Sequence, residues 1–180
     1  MRILHLGCGQ AKFPGAIGID INPRSQADVL YNLDQCPYPF IANSFDQILC
    51  EHVLEHLEDV VKVMDELHRL GRPGATVIVR APHFSSVYYY SDPTHKHPFG
   101  RHSFDYFIPG TPVHPFHYSD SEYRLARVTF PPPDDAGPLK RAVFELINRY
   151  GDFYERRLAF ILPRHLIEYE LEVVKDADRY

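Results

Sequence analysis

The stretch RILHLGCGQAKFPGAIGID, residues 2–20, constrains the fold more than any other part of this chain. It reads as a strand, a glycine turn and a second strand that closes on an acid, Asp20. That is the opening of a nucleotide-binding βαβ unit, yet only QAKFPG stands between Gly9 and Ala16, where the helix should be. Pro14 discourages a helix further, because its ring and missing N–H disrupt helical hydrogen bonds. NPRSQ, ahead of the third strand, is likewise too short for a proper helix.

The rest of the chain continues the α/β pattern. ADVLYNLD at 27–34 and SFDQILC at 44–50 are short apolar runs ended by polar or turn-forming residues, as in buried parallel strands. From His52 onward, Val53, Leu54, Leu57, Val60, Val61, Met64, Leu67 and Leu70 recur at helical spacing until Gly71 and Pro73–Gly74 stop the helix. ATVIVRAP at 75–82 is a fifth strand, so this unit is a right-handed crossover. YRLARVTF at 123–130 and HLIEYELEVVK at 165–175 read as strands, and the segment from Leu139 is helical in at least its first half. The order predicts a seven-strand α/β sheet with an antiparallel element near the end. A chain of 180 residues suits one core, and residues 1–180 are read as a single domain.

Composition narrows the function classes. Hydrophobic residues at 44% and charged residues at 24% suit a soluble globular protein. A net charge of −5 gives no general attraction to nucleic acid, which is not expected as a partner. No apolar run approaches the roughly 20 residues of a membrane span, and the strand-like start does not resemble a signal peptide. Cys8, Cys36 and Cys50 are read as reduced thiols, which predicts a cytoplasmic protein. Cys8 and Cys50, at strand ends, are expected to be buried.

LHLGCGQ, GIDINP, NLDQCPYPFIANSFDQILCEHVLEHL and LGRPGATVIVRAP together resemble, in order and spacing, the class I S-adenosylmethionine-dependent methyltransferases. The likeness is to small methyltransferases of type 11, in which FD…HVLEH follows the fourth strand, and it covers residues 3–82 well. The resemblance implies a Rossmann-like methyltransferase fold: a seven-strand, mostly parallel sheet with helices on both faces and an antiparallel last element. It implies S-adenosyl-L-methionine as cofactor. Gly7 and Gly9 would form the turn against its methionine part, where a side chain would block close approach. Asp20 would accept hydrogen bonds from the ribose hydroxyls, since a carboxylate offers two acceptor oxygens and no donor. Asn22 is a weaker ribose-side candidate. Leu33 would lie against the adenine and Asp34 near its amino group. Glu51 and His52 would face the methionine end.

The chain departs from that pattern where it has His5 in place of the usual acid, and in its two trimmed connections. The trimming disfavours a dinucleotide, whose pyrophosphate needs a helix N-terminus. S-adenosylmethionine carries no phosphate. The same trimming leaves part of one sheet face thinly covered, and the aromatic insert or a second subunit is expected to cover it.

That insert, at about 83–120, lies in the segment Pro82–Pro133, which holds most of the 11 histidines and 16 prolines. A loop of this length in a compact domain is usually functional, and its aromatic content argues against disorder. Its start should face the pocket, because ligands bind outside the carboxyl ends of such strands. The candidates for a base or an acceptor-orienting group are His95 and His83, with Asp92 as orienting partner. Tyr88, Tyr89 and Tyr90 either stack on a planar acceptor or build the insert's own small core. His52 and His56 share a helix face without a third ligand nearby, and His95, His97 and His102 with Asp92 match no zinc signature, so no metal site is expected.

The function this predicts is methyl transfer to a small molecule or a modified group. The alternative is a cofactor-binding regulatory or structural subunit without catalysis. A homo-oligomer is left open, as are the acceptor and its reacting atom.

Overall fold

In a computed structural model, which describes residues 1–175, short apolar runs form the centre of one sheet. Strands β1 (Ile3–Leu6), β2 (Ile17–Asp20), β3 (Val29–Leu30), β4 (Phe45–Glu51) and β5 (Gly71–Pro82) pair in parallel. Strands β6 (Glu122–Thr129) and β7 (Leu166–Val174) complete it in the order β3-β2-β1-β4-β5-β7-β6. Strand β7 runs antiparallel to both neighbours, the antiparallel last element that the resemblance implies, and it inserts between β5 and β6.

The trimmed connections hold their shape with polar bonds instead of helices. Gly7 N–H donates to the Ile19 carbonyl at 2.8 Å, and Gln26 N–H to the Gly9 carbonyl at 2.7 Å. Asp28 accepts the Gly18 N–H at 2.7 Å and pairs with Lys12 at 2.9 Å. His5, which stands in place of the family's acid, accepts the Phe13 N–H on Nδ1 at 3.0 Å and so pins the first loop.

Helix α1 (Val60–Leu70) buries Val63, Met64, Leu67 and Leu70 against the sheet, and Asp59 caps its start by accepting the Lys62 N–H at 3.0 Å. It begins eight residues after His52, where the apolar spacing alone starts a helix. The intervening residues are committed elsewhere: the Glu55 carbonyl accepts the Lys96 N–H at 2.7 Å, and Asp34 takes the Glu58 N–H at 2.8 Å. Only a 3-10 turn, Leu54–His56, forms between.

The insert contains a short helix, α2 (Val87–Ser91), and packs on the α1 side of the sheet. Phe104 meets Tyr169 of β7 edge-on at 4.7 Å, and Phe107 meets Tyr123 of β6 at 6.0 Å. The fully buried Tyr123 hydroxyl donates to the Met64 carbonyl of α1 at 2.6 Å. His83 is wholly buried, with Nδ1 2.8 Å from Ser85 Oγ and Nε2 3.0 Å from Glu155 of the C-terminal helical segment, α3 (Pro138–Arg149) and α4 (Gly151–Arg157).

The insert therefore packs mainly on the α1 side and reaches the opposite face only at one end, where Tyr88 and Asp92 share a cavity with Arg80 and Glu168. Of the two covers expected there, the insert or a second subunit, the insert supplies only part. That face needs little cover, because its apolar part is small: Ile3, Ala16 and Leu49 cluster with Ile78, and no helix contributes to them. Toward β7 and β6 its outward positions are mostly charged. Arg80 bridges Glu51 and Glu168, Arg127 lies within 3.7 Å of Glu168, and Arg124 pairs with Glu172. Helix α3 stands beside its far end, where Phe144 shares a cavity with Arg80 and Glu168. Among the described residues no helix is long and apolar enough to cross a membrane.

Two outcomes test this arrangement. Because the insert is part of the core, Phe104→Ala should cost about 3–5 kcal/mol in denaturant unfolding, where a dispensable loop would lose almost nothing. Burial holds His5 below the usual histidine pKa, with Glu51 and Asp20 offsetting it in part. The unfolded chain then binds more protons at mildly acid pH, so this stabilisation is complete above about pH 6.5 and is lost as pH falls through the lower folded value. Melting between about pH 7.5 and about pH 5.5 should fall less in His5→Asn, whose side-chain carbonyl can still accept the Phe13 N–H.

Candidate active site

Two cavities open at the C-terminal ends of the parallel strands, and His52 lines both. The smaller, about 360 Å³, is built from the glycine turn, the end of β2, and residues 32–34 and 52–57. Gly7 and Gly9 have φ of +59° and +49°, a left-handed conformation that glycine adopts without penalty. A Cβ on Gly7 would stand 2.6 Å from Val53 Cγ2, so the turn also allows the strand end and residue 53 to approach. Asp20 is buried, and its two oxygens accept the N–H groups of Gly9 and Asn22, each at 2.8 Å. One carboxylate thus ties the glycine turn to the end of β2 and keeps lone pairs for a ligand in the cavity.

Leu33 and Ile21 with Val53 and Leu57 give this cavity apolar walls, and Asp34 adds a second acid. Asn32, Ile21 and Leu57 were not singled out as site residues by the sequence, and His56 was weighed there only as a partner of His52, since their position depends on where the chain leaves β3 and β4. Gly9 shapes the turn without lining the cavity. Asn22 also stays outside the wall, where its side-chain carbonyl accepts the Arg24 N–H at 2.9 Å and closes a local turn. Glu51 points to the charged sheet face, paired with Arg80 and 3.7 Å from His5 Nε2. The structure therefore sets Asn22 and Glu51 apart from the other expected cofactor residues.

The larger cavity, about 970 Å³, lies between the start of the insert, the ends of β5 and β7, and the segment Pro131–Asp134 before α3. Both volumes fall within the range of small-molecule sites, about 300–1,000 Å³. Tyr88, Asp92 and His95 come from the insert, and Phe144 and His165 face them. Tyr88 packs against His165 at 5.1 Å, and the Tyr89 ring stacks on His95 at 5.6 Å, so the tyrosines serve the cavity wall as well as the insert's own packing. Asp92 accepts the Thr94 N–H and hydroxyl at 2.8 and 2.6 Å, bonds that hold its carboxyl below the usual range. His95 Nδ1 lies 2.9 Å from the Tyr89 carbonyl, which only accepts, so Nδ1 carries the proton and Nε2 a lone pair. His52 connects the two cavities from an unusual backbone position, φ +53°, with its N–H donated to the Arg80 carbonyl at 2.9 Å. A glutamate, Glu55, lies beside it with Oε1 3.4 Å from His52 Nδ1 and pulls the imidazole above its usual pKa.

His83 does not join this group. Both of its nitrogens are engaged in the core, and it lines neither cavity. The histidines weighed as a metal set also part company: His97 Nε2 donates to the Leu57 carbonyl at 2.9 Å, and His102 pairs with Asp105 and Asp152. Cys8 and Cys50 are buried as expected; all three thiols are free, and burial pushes each above its usual pKa.

Comparison with known proteins agrees with this fold. Residues 4–79 match a family model described as a methyltransferase domain. The chain has the class I methyltransferase fold. It is similar to an S-adenosylmethionine-dependent methyltransferase from Archaeoglobus fulgidus, at 17% identity and a TM-score of 0.59, over 95% of this chain and 85% of that one. A Mesorhizobium loti S-adenosylmethionine-dependent methyltransferase gives 15% identity and a TM-score of 0.57, over 95% and 90%. Phosphoethanolamine N-methyltransferase 2 of Haemonchus contortus, solved with S-adenosyl-L-methionine, gives 16% and 0.57, over 98% of this chain and 49% of that one. No curated protein matches the sequence. The resemblance read from the motifs thus holds at the level of the methyltransferase fold.

If the glycine turn is as tight as described, Gly7→Ala should lose roughly 1–3 kcal/mol through its left-handed backbone alone. The contact with Val53 adds to that loss. Urea unfolding of this methyltransferase-like domain measures it, and an unchanged midpoint would mean the turn relaxes freely.

Proposed function

We propose that this chain is an S-adenosylmethionine-dependent methyltransferase acting on a small-molecule acceptor. The observation that carries the reading is the pair of adjoining cavities with His52 in the wall of each. The smaller has the features of a nucleoside site: a buried acid at the end of β2, apolar walls for a flat ring, and a glycine turn. The larger is the acceptor side. Its size and mixed apolar and charged lining suit a small molecule better than a polymer, which would need an open groove.

Asp20 would accept the ribose hydroxyls with its remaining lone pairs, while its bonds to Gly9 and Asn22 hold it in place. Leu33 would pack on the adenine, with Asp34 near the amino group, and Gly7 would leave room for the methionine part. Bound there, S-adenosylmethionine supplies a methyl group already activated by its sulfonium, so the protein must chiefly align an acceptor at roughly 3 Å. His95 and Asp92 would orient that acceptor from the far wall, and His52 stands where the two ligands meet.

Thermal melting with S-adenosylmethionine, S-adenosylhomocysteine and NAD in separate samples tests the cofactor. A ligand at about 100 times its dissociation constant adds about 2.7 kcal/mol, a rise of roughly 5–11 °C for a domain of this size. The first two should raise the melting temperature and NAD should not. Asp20→Asn should weaken binding about tenfold or more, the value of a charge-assisted hydrogen bond. No shift with either sulfonium-derived ligand would overturn the assignment, and methyl label passed to no acceptor in a small-molecule panel would favour a binding subunit over an enzyme.

A further inference from the structure

We propose that Glu55, His56 and His95 form a site for one divalent transition-metal ion, of zinc type, in the wall between the two cavities. One ligating atom from each residue lies within 4.8 Å of the other two. Three independent features point to a ligand at this position.

The first is Glu55. It is fully buried, and neither carboxylate oxygen has a hydrogen-bond partner among the described residues. His52 Nδ1, at 3.4 Å, is near enough for attraction but lies outside hydrogen-bond geometry. A buried carboxylate whose neighbouring imidazole makes no hydrogen bond to it is left under-satisfied, and buried charges are normally hydrogen-bonded, paired or bound to metal.

The second is the state of the two imidazoles. His56 Nδ1 is 2.9 Å from Thr94 Oγ1, and the only proton of that hydroxyl is donated to Asp92 Oδ1 at 2.6 Å. Thr94 therefore accepts from His56, whose Nε2 keeps its lone pair. His95 Nδ1 donates to the Tyr89 carbonyl, and its Nε2 has Asp92 Oδ2 at 3.9 Å, beyond hydrogen-bond reach, so that nitrogen can ligate as well. Metal-binding histidines are held in this way, one ring nitrogen donated to an oxygen and the other turned to the metal.

The third is how the donors are brought together. Lys96 and His97 donate their N–H groups to the Glu55 carbonyl at 2.7 and 3.4 Å, which fastens the insert to the 3-10 turn and sets the His56 and His95 rings 4.7 Å apart. The site is thus assembled by the backbone and does not depend on long flexible side chains.

Two imidazole nitrogens and one carboxylate oxygen suit zinc or a neighbouring first-row ion, whereas magnesium and calcium prefer oxygen ligands throughout. Tetrahedral bonds of about 2.0–2.1 Å would place the donors roughly 3.4 Å apart, so binding requires a modest closing of the side chains. Three protein ligands leave a coordination position open. His56 lines the smaller cavity and His95 the larger, so an acceptor heteroatom could take that position. This last point rests on the methyltransferase reading; the metal site itself does not.

The test uses the full chain, stripped with chelator and titrated calorimetrically with zinc chloride, with cobalt(II) absorption reporting the ligand set. Wild type should bind one equivalent and give a visible tetrahedral or five-coordinate cobalt spectrum. Removing a group that only orients a ligand typically weakens a metal by about 10–100-fold. Glu55→Gln and His95→Gln should each weaken zinc by at least that much, and His117→Asn, on the exposed surface, should not. Glu55→Gln, which removes the buried charge, should melt no lower than metal-free wild type and should lose the zinc-induced rise. Its response to S-adenosylhomocysteine should persist, and zinc binding should persist in Asp20→Asn, so the metal and cofactor assignments fail separately. Wild type that takes up no zinc, or uptake unaltered in both Glu55→Gln and His95→Gln, would overturn the proposal.

Discussion

The carboxylate of Asp20 holds the opening of this molecule together. Where a full-length unit would stack a helix behind the first two strands, this chain has a ten-residue turn whose geometry depends on a few polar bonds. Asp20 takes the N–H groups of Gly9 and Asn22, and the Gly9 carbonyl in turn takes the N–H of Gln26. The ends of β1, β2 and the approach to β3 are thereby fixed around one buried acid. The smaller cavity is the space this arrangement encloses, so the residue that shapes it is also the residue best placed to bind within it.

A second dependence runs through the insert. Economy at the start of the chain removes helices, and the protein places its additional structure after β5 instead. Phe99, Phe104 and Phe107 make the insert continuous with the core, while its other edge supplies Asp92 and His95 to the larger cavity. Packing and function are divided along the same segment, which gives polar residues near the cavity a rigid support. Binding groups held this way lose little conformational entropy when a ligand arrives. The charged ladder of Arg80, Glu51 and Glu168 performs a different service on the opposite face, keeping a thinly covered sheet surface polar where it borders the larger cavity.

The strand order, the crossover and the glycine turn were legible because they are local: apolar runs of strand length, a long helical period and glycines where the chain must turn. Asp20, Leu33, Asp34 and His52 followed from motif position, and each lines the smaller cavity. Asn22 and Glu51 shared the same local signal but turn away, Asn22 to bond its own turn and Glu51 to pair with Arg80. Choosing between those outcomes requires knowing which way each residue leaves its strand. His83 illustrates the same limit: it follows β5 as a pocket residue would, yet it is aimed into the core by Ser85 and Glu155.

By itself the sequence determined the class of fold, the missing helices and the acid-closed strand that make a nucleoside-sized cavity possible, since all three depend on spacing along the chain. Tertiary structure decided which polar residues meet. Glu55 reads as an ordinary position in an apolar helical repeat until Lys96 and His97 bond to its carbonyl, and His95 lies 40 residues away until the insert folds back. Whether a carboxylate and two imidazoles form a cluster or remain scattered depends on long-range packing, and no local periodicity encodes that packing.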